Sequence, residues 1–157
     1  MAENKHFNTL IQIGLVVRDL DGALKNFEEI MGIGPFRIAE YPPVDDRDCV
    51  RTYHGKKGDF QAKFCFYKFD NIEIELICPI QGENIWTDFL EDHGPGLHHL
   101  KFSVPTHQDT EKLFHEHGVE MISSGAAVGP NKGKTWVYYD TWEKLGFFIE
   151  MMNEIKE

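Results

Sequence analysis

One pattern of β-rich and helical segments occurs twice in this chain of 157 residues. The run Gln12–Val17 aligns with His99–Val104, and a helix-ending glycine follows the start of each run after 20 and 19 residues, at Gly32 and Gly118. Chance similarity between two β-rich segments is the alternative explanation. The repeat favours an internal duplication, which constrains the fold to two similar halves.

Within each half, the apolar pattern predicts a strand, a helix and then further strands. After Val17 the apolar period changes from two to about 3.6, which predicts a helix behind an Asp19 N-cap. The runs Gln61–Phe69 and Ile72–Pro79 are separated only by Asp70 and Asn71, which suits a hairpin turn. Other strands are predicted at 36–40, 50–54, 98–104, 119–123, 134–140 and 146–153, and helices at 85–92 and 108–117.

Charge and composition limit the classes of partner. A net charge of −10 with 41% hydrophobic residues indicates a packed protein that repels phosphate backbones and anionic membranes. The three cysteines form no C-x-x-C pair, and no apolar run approaches the roughly 18 residues that a membrane span needs. We therefore expect a cytoplasmic protein that binds neither nucleic acid nor membrane.

Four residues able to bind a metal stand at equivalent places in the two halves. Gln12 and His99 lie on the opening strands, and Glu75 and Glu150 lie on the closing strands among apolar neighbours. Burying an isolated carboxylate costs several kcal/mol, and a divalent cation offsets that cost. An amide oxygen, an imidazole and two carboxylates would give such a cation a mixed oxygen and nitrogen shell.

Each residue taken singly has a plainer explanation. Glu73 and Glu75 share one face of a strand, and that face could simply contact water. His98 and His99 should point to opposite faces, so that only the parity with Gln12 selects His99. The correspondence between the halves is what favours a shared site.

These residues and motifs resemble the vicinal oxygen chelate superfamily, which includes glyoxalase I, methylmalonyl-CoA epimerase, extradiol dioxygenases and bleomycin- or fosfomycin-resistance proteins. The resemblance covers nearly the whole chain and is carried by Gln12–Leu20, Glu75–Pro79, Gly96–Phe102 and Asp140–Glu150. It implies an α+β fold of two βαβββ modules, 8–80 and 95–153, in one domain over 1–157. The modules would form an open cleft with a metal at its floor.

The resemblance also implies that Gln12, Glu75, His99 and Glu150 are the metal ligands. Many members have His at the first position, and a Gln, Glu, His, Glu set is similar to that of zinc-using glyoxalase I. The missing histidine counts against dioxygen chemistry, which needs two histidines and one carboxylate for iron. Zinc, nickel, cobalt, manganese and magnesium all remain possible ions.

The activity expected from this resemblance is that of a metal-dependent isomerase or lyase that transfers a proton through a metal-bound enolate. The first expectation is a methylmalonyl-CoA epimerase-like reaction on an acyl-CoA or related small carbonyl compound. A glyoxalase I (lactoylglutathione lyase)-like reaction on a thiol adduct is the nearest alternative, and a protein that only sequesters a small molecule is the alternative of another class. Glu150 is the first candidate for the base, with Glu75 as its partner.

The hairpin turn predicts the contents of the site face. If Asp70 and Asn71 form the turn, Phe66 pairs with Glu75 and Phe64 with Ile77. Some epimerases carry a further glutamate on this neighbouring strand, and Phe64 takes its place here. This puts strict methylmalonyl-CoA epimerisation in doubt and favours a bulkier acyl group.

Three further features are open to two interpretations. The basic residues Arg47, Arg51, Lys56 and Lys57 would either face carrier phosphates or protect an exposed hairpin edge by charge. The segment Gly129–Lys134 is either a flap over the substrate or a plain surface loop, and the aromatic residues of 136–148 form either cleft wall or core.

The resemblance suggests a homodimer, to which an exposed edge strand at Ile72–Pro79 could contribute.

Overall fold

The computed structural model describes residues 6–154, in which ten strands form one sheet with four helices around it. The strands are β1 (Thr9–Val16), β2 (Arg37–Tyr41), β3 (Arg51–Tyr53), β4 (Lys56–Lys57), β5 (Gln61–Lys68), β6 (Glu73–Gln81), β7 (Gly96–Ser103), β8 (Met121–Ala126), β9 (Lys134–Tyr139) and β10 (Phe148–Glu154). The helices are α1 (Leu20–Met31), α2 (Ile85–His93), α3 (His107–Glu116) and α4 (Trp142–Leu145), with a short 3₁₀ turn at Gly129–Asn131.

The strand order shows the repeat directly. It runs β2-β5-β6-β1-β7-β10-β9-β8-β3-β4, so that the two halves present the same four-strand order on either side of the β1–β7 contact. In each half the closing strand pairs in parallel with the opening strand, β6 with β1 and β10 with β7. The predicted α+β fold is confirmed, and its sheet curls into an open half-barrel.

A hairpin inserted between β2 and β5 departs from this symmetry. Strands β3 and β4 cross to the other half, where β3 pairs with β8 and the hydroxyls of Thr52 and Ser124 lie 2.7 Å apart. The hairpin therefore joins the first half to the outer edge of the second. The division into modules 8–80 and 95–153 within one domain stays a prediction. The structure shows in addition that β3, from the first half, pairs with β8 of the second.

The same hairpin separates the members of the basic stretch. Arg51 is buried, and its guanidinium donates to the carbonyl oxygens of Phe60 and Cys49, so it supports the hairpin and does not face a phosphate. Lys56 and Lys57 are exposed on β4, the last strand of the sheet. Charged side chains at this position discourage pairing with another chain.

Helix α1 begins and ends where the sequence predicted. The Asp19 side chain accepts a hydrogen bond from the backbone N–H of Gly22 at 3.0 Å. Gly32 ends the helix with a φ of 68°, a left-handed conformation that favours glycine, and its N–H bonds the Glu28 carbonyl. The helix packs Leu20 against the outer face of β5 and β6, opposite the face that carries the candidate ligands.

The hairpin of β5 and β6 has the predicted register. The Phe69 N–H donates to the Ile72 carbonyl at 2.8 Å, Phe66 pairs with Glu75, and Phe64 pairs with Ile77. The expectation that this segment is an exposed edge is wrong, because β6 lies between β5 and β1. The edges of the sheet in residues 6–154 are β2 and β4, and the homodimer stays a prediction.

The main core lies inside the curl of the sheet. Aromatic rings from β2, β5, α2 and β9 pack together there, with Trp86 and Trp136 5.7 Å apart between ring centroids. This core lies on the same side of the sheet as the candidate ligands, so the cleft has an aromatic wall. Among residues 6–154, no helix has the length and apolar character to cross a bilayer.

Candidate metal centre

The structure brings Gln12, Glu75, His99 and Glu150 together at the middle of the sheet. The His99 Nε2 atom lies 3.0 Å from Glu150 Oε2, 3.2 Å from Glu75 Oε2 and 3.5 Å from Gln12 Oε1. All four residues are buried, His99 completely and Glu150 to 97%, with 3% of its surface exposed. The ligand atoms of the two carboxylates and the imidazole lie within 4.8 Å of one another.

Gly14 on β1 explains how the imidazole fits between the strands. It lies opposite Glu75 on β6 and opposite His99 on β7. A Cβ atom at Gly14 would overlap the His99 ring. The glycine thus leaves the space in which His99 lies beside both carboxylates.

The two adjacent histidines are in contact, and the expectation of opposite faces is wrong. The pairing of β1 with β7 shifts at Gly14, where Leu15 pairs with Leu97, and His98 becomes an extra residue in β7. This bulge places the Nδ1 atoms of His98 and His99 3.0 Å apart. Strict alternation of side chains fails at such a bulge.

His98 fixes the orientation of His99. Burial, and then the neighbouring His99 and His93, lower the pKa of His98 well below its usual range, so His98 is neutral. With His99 also neutral, a hydrogen bond from its Nδ1–H to His98 Nδ1 would leave Nε2 as the free lone pair on the side of the carboxylates. Metal-binding histidines ordinarily have such a partner on the second nitrogen.

Glu73 performs a similar role for Gln12. The Gln12 Nε2 atom donates to Glu73 Oε1 at 2.7 Å, which turns the amide oxygen toward His99. Glu73 is partly exposed and shares the strand face of Glu75, as the alternation predicted. It therefore orients a candidate ligand.

Lys101 is a residue of the site that the sequence did not predict. Only 7% of it is exposed, and its Nζ lies 3.1 Å from Glu150 Oε1. Burial disfavours the ammonium, but the carboxylates of Glu150 and Glu75 raise the pKa of Lys101 overall. The alternation of side chains along the strand could have indicated Lys101, because it follows His99 by two residues and lies on the same face.

Lys101 makes the two carboxylates unequal. Burial raises the pKa of Glu75, and its contact with His99 offsets this only in part. Burial also acts on Glu150, but the charges of Lys101 and His99 bring the pKa of Glu150 below its usual range. Glu150 is thus held ionised, whereas Glu75 binds a proton more readily.

The donor set fits a divalent cation. Glu150 Oε2 is buried, and among the residues that the structure describes only His99 Nε2, at 3.0 Å, comes near enough to donate to it. Such a buried acceptor is costly unless a cation or donor meets it. One amide oxygen, one imidazole nitrogen and two carboxylates around a common point match the ligands of zinc and similar ions.

We expect metal binding to release a proton below about pH 9. Burial opposes the charged imidazole, but the adjacent carboxylates of Glu150 and Glu75 raise the pKa of His99 to about 9 in the metal-free protein. A cation must displace that proton, so its apparent affinity should rise with pH and level off above about pH 9. Zinc titration by calorimetry in buffers of different ionisation enthalpy measures the released proton. If the zinc affinity did not change with pH below about pH 9 and equalled the affinity of His99→Gln, this expectation would be wrong.

A cavity of about 180 Å³ opens beside the four residues. Its apolar wall comes from both halves and from α2, with rings that also belong to the core: Phe64, Phe66, Trp86, Trp136 and Tyr138. The two interpretations of Trp136 and Tyr138, wall and core, therefore both hold. Phe148 packs against His98 on the core side, with ring centroids 4.8 Å apart.

The loop after β8 closes one side of this cavity. Pro130 and Asn131 line it, and the next residue, Lys132, pairs at 2.6 Å with Asp45 on the loop after β2. Movement of this segment as a flap stays a prediction. A larger cleft of about 960 Å³ adjoins the cavity and shares Lys101 and Asn131 with it.

Comparison with known proteins gives matches over most of the chain. The model of a family described as the Glyoxalase/Bleomycin resistance protein/Dioxygenase superfamily matches residues 11–139. The protein YqjC of Bacillus subtilis (strain 168) is 22% identical over 144 residues, which are 92% of this chain and 91% of YqjC.

Solved structures share the fold at low identity. A methylmalonyl-CoA epimerase from Mycobacterium tuberculosis has a TM-score of 0.62 and 18% identity, over 99% of this chain and 94% of that one. A Streptomyces coelicolor methylmalonyl-CoA epimerase in complex with 2-nitronate-propionyl-CoA has a TM-score of 0.61 and 14% identity, over 96% and 99%. At these identities the likeness shows the fold alone.

Proposed function

Because this chain belongs to the glyoxalase/bleomycin resistance/dioxygenase superfamily, we propose that it is a metal-dependent isomerase or lyase that moves a proton at a carbon beside a carbonyl group. The epimerase-like reaction on an acyl-CoA or related small carbonyl compound is the leading form of this proposal. The observation that carries it is the buried cluster of Glu75, His99 and Glu150 at the floor of a cavity with aromatic walls.

Gln12, Glu75, His99 and Glu150 would hold the cation. When bound, a divalent cation supplies a Lewis acid that stabilises the negative charge developing on the substrate's carbonyl oxygen, an effect worth roughly 3–4 kcal/mol per well-aimed donor. His98 and Glu73 keep the imidazole and the amide turned toward this point. The ion is one of zinc, nickel, cobalt, manganese and magnesium.

Glu150 and Glu75 would transfer the proton. The Lys101 ammonium keeps Glu150 ionised and therefore able to accept a proton from the carbon. Glu75 lies in the same cluster and is the second carboxylate, the one that would return the proton to the carbon. Inversion at the carbon would require the two groups to work from different sides of the substrate.

The neighbouring strand supplies packing for the substrate. Phe64 and Phe66 line the cavity at the predicted register, and Phe64 stands where some epimerases carry a further glutamate. Excluding water from the cavity strengthens every charge interaction within it. These rings favour an acyl group with an apolar part beside the reacting carbon.

A glyoxalase I-like reaction is the second candidate, favoured by one observation. Gln12 stands where many members of the superfamily have a histidine, and its side-chain oxygen is directed to His99. The resulting set of Gln, Glu, His and Glu resembles the ligand set of glyoxalase I. A hemithioacetal would need the same proton transfer between carboxylates.

Solvent deuterium exchange tests this proposal. We expect the zinc- or nickel-loaded protein to incorporate deuterium from the solvent at the α-carbon of methylmalonyl-CoA, or into the hemithioacetal of methylglyoxal and glutathione, and to lose this activity with a chelator. Nuclear magnetic resonance follows the exchange. Saturable binding of these compounds without any exchange would contradict an enzyme and favour the sequestering protein.

A further inference from the structure

Arg37 lies on the site face of the sheet. It pairs with Phe66 on β5, and Phe66 pairs with Glu75 on β6, so the three residues form a row across adjacent strands. Paired residues of neighbouring strands point to the same face. Arg37 accordingly lines the same cavity as Glu75 and Glu150.

Arg37 is exposed on the edge strand β2, and its guanidinium contacts one aromatic ring and one glycine. Its central carbon lies 4.2 Å from the centroid of the Phe66 ring. On the loop after β8, a Cβ atom at Gly129 would come within 3.1 Å of Arg37 Nη1, so the guanidinium also lies against that glycine. Stacking uses the face of the guanidinium and keeps the N–H groups along its edge available for an acceptor.

Arg37 has no anionic partner among the side chains that the structure describes, those of residues 6–153. The other three arginines of the chain all donate hydrogen bonds within that part: Arg18 to the Leu90 carbonyl, Arg47 to Glu40, and Arg51 to Asp59 and to backbone oxygens. No carboxylate in the described structure lies within ion-pair distance of Arg37, and no hydrogen bond from it is formed there. A guanidinium with unused donors at the edge of a cavity can bind an anionic ligand.

The size of the cavity indicates which part of a ligand would reach Arg37. At about 180 Å³, it is smaller than the roughly 300–1,000 Å³ typical of sites for drug-sized ligands. It suits a group of a few carbon atoms, whereas a bulky carrier would extend into the adjoining cleft of about 960 Å³. The anion beside Arg37 would therefore belong to the small reacting group.

We propose that Arg37 is a specificity-determining residue that binds a free carboxylate on the reacting group of the substrate. A carboxylate accepts two parallel hydrogen bonds from a guanidinium, which gives both charge and geometric selection. This inference rests on the proposed function. It selects carboxylated acyl compounds over otherwise identical neutral ones.

Matched substrates separate this role from a structural one. Methylmalonyl and propionyl thioesters differ by the free carboxylate, and each is compared on CoA and on pantetheine, which lacks the nucleotide phosphates. For Arg37→Gln we expect KM for the carboxylated thioester to rise roughly 10- to 100-fold, as for loss of a charge-assisted hydrogen bond. KM for the propionyl thioester should change little, and Arg37→Lys should restore part of the loss for the carboxylated thioester. Arg47 lies outside the cavity, so Arg47→Gln should have the KM values of the parent protein.

The outcomes distinguish the inference from the proposed function. An equal loss for carboxylated and neutral thioesters, or none for either, overturns the role of Arg37. A loss seen on CoA but absent on pantetheine also overturns it, because the guanidinium would then bind a carrier phosphate. If no thioester exchanges its proton, the proposed function fails. Calorimetric binding of the two pantetheine thioesters to the metal-loaded protein still tests Arg37 in that case. A weaker affinity of Arg37→Gln for methylmalonyl pantetheine alone supports the inference, and unchanged affinities reject it.

Discussion

Glu150→Gln is expected to lower the rate of α-proton exchange by roughly 100- to 10,000-fold, the range in which a positioned general base contributes. The amide has nearly the shape of the carboxylate and keeps one oxygen for a cation, but it cannot accept a proton. Gln12 already places an amide oxygen in this cluster. Loss of exchange with retained metal would therefore point to the proton transfer itself.

The measurement pairs exchange with metal content. Each variant is loaded with the same ion, its stoichiometry is determined by elemental analysis, and the deuterium exchange is followed at substrate saturation. Glu143→Gln, an exposed carboxylate on α4, serves as the matched control and should retain the full rate. Full exchange by metal-loaded Glu150→Gln would exclude Glu150 as the base and transfer that role to Glu75.

Lys101→Met is expected to reduce the free energy of unfolding of the metal-free protein by about 3–5 kcal/mol, the usual cost of leaving a buried charge without its partner. The Lys101 Nζ lies 3.1 Å from Glu150 Oε1, and both residues are more than nine-tenths buried. Methionine keeps the length of the side chain but not the charge. Zinc should reduce the loss, because a divalent cation supplies positive charge to the same carboxylates.

Urea denaturation with and without zinc measures this effect. Lys63→Met, an exposed lysine on β5, should change the stability by no more than about 0.5 kcal/mol. Combining Lys101→Met with Glu150→Gln removes both charges, so the double variant should lose clearly less than the sum of the single losses. Additive losses would show that the two side chains do not stabilise one another.

Local patterns were sufficient to predict much of the framework. The Asp19 cap and Gly32 end of α1 follow from contacts within a few residues, and the structure confirms both. The pairing of Phe64 with Ile77 follows from a turn of two residues, because a short turn fixes the register of its strands. Recurrence at equivalent positions selected Gln12, Glu75, His99 and Glu150, and the structure brings these four together.

Where prediction failed, the cause was pairing between distant segments. Strict alternation misplaced His98, since the bulge that brings it to His99 depends on how β7 pairs with β1. The segment Ile72–Pro79 lies inside the sheet and not at its edge, because it pairs with β1, some 60 residues earlier in the chain. Neither feature leaves a mark on the local sequence.

The sequence alone was enough to predict the repeated order of elements, the ends of α1, the hairpin register and the four candidate ligands, since each depends on neighbours in the chain or on a comparison of its two halves. The tertiary structure was needed to show that Lys101 lies against one carboxylate of the pair and that Arg37 lines the cavity without an anionic partner among the described side chains. Charge interactions in a buried site depend on distances across four or more strands, and the curl of the sheet sets those distances.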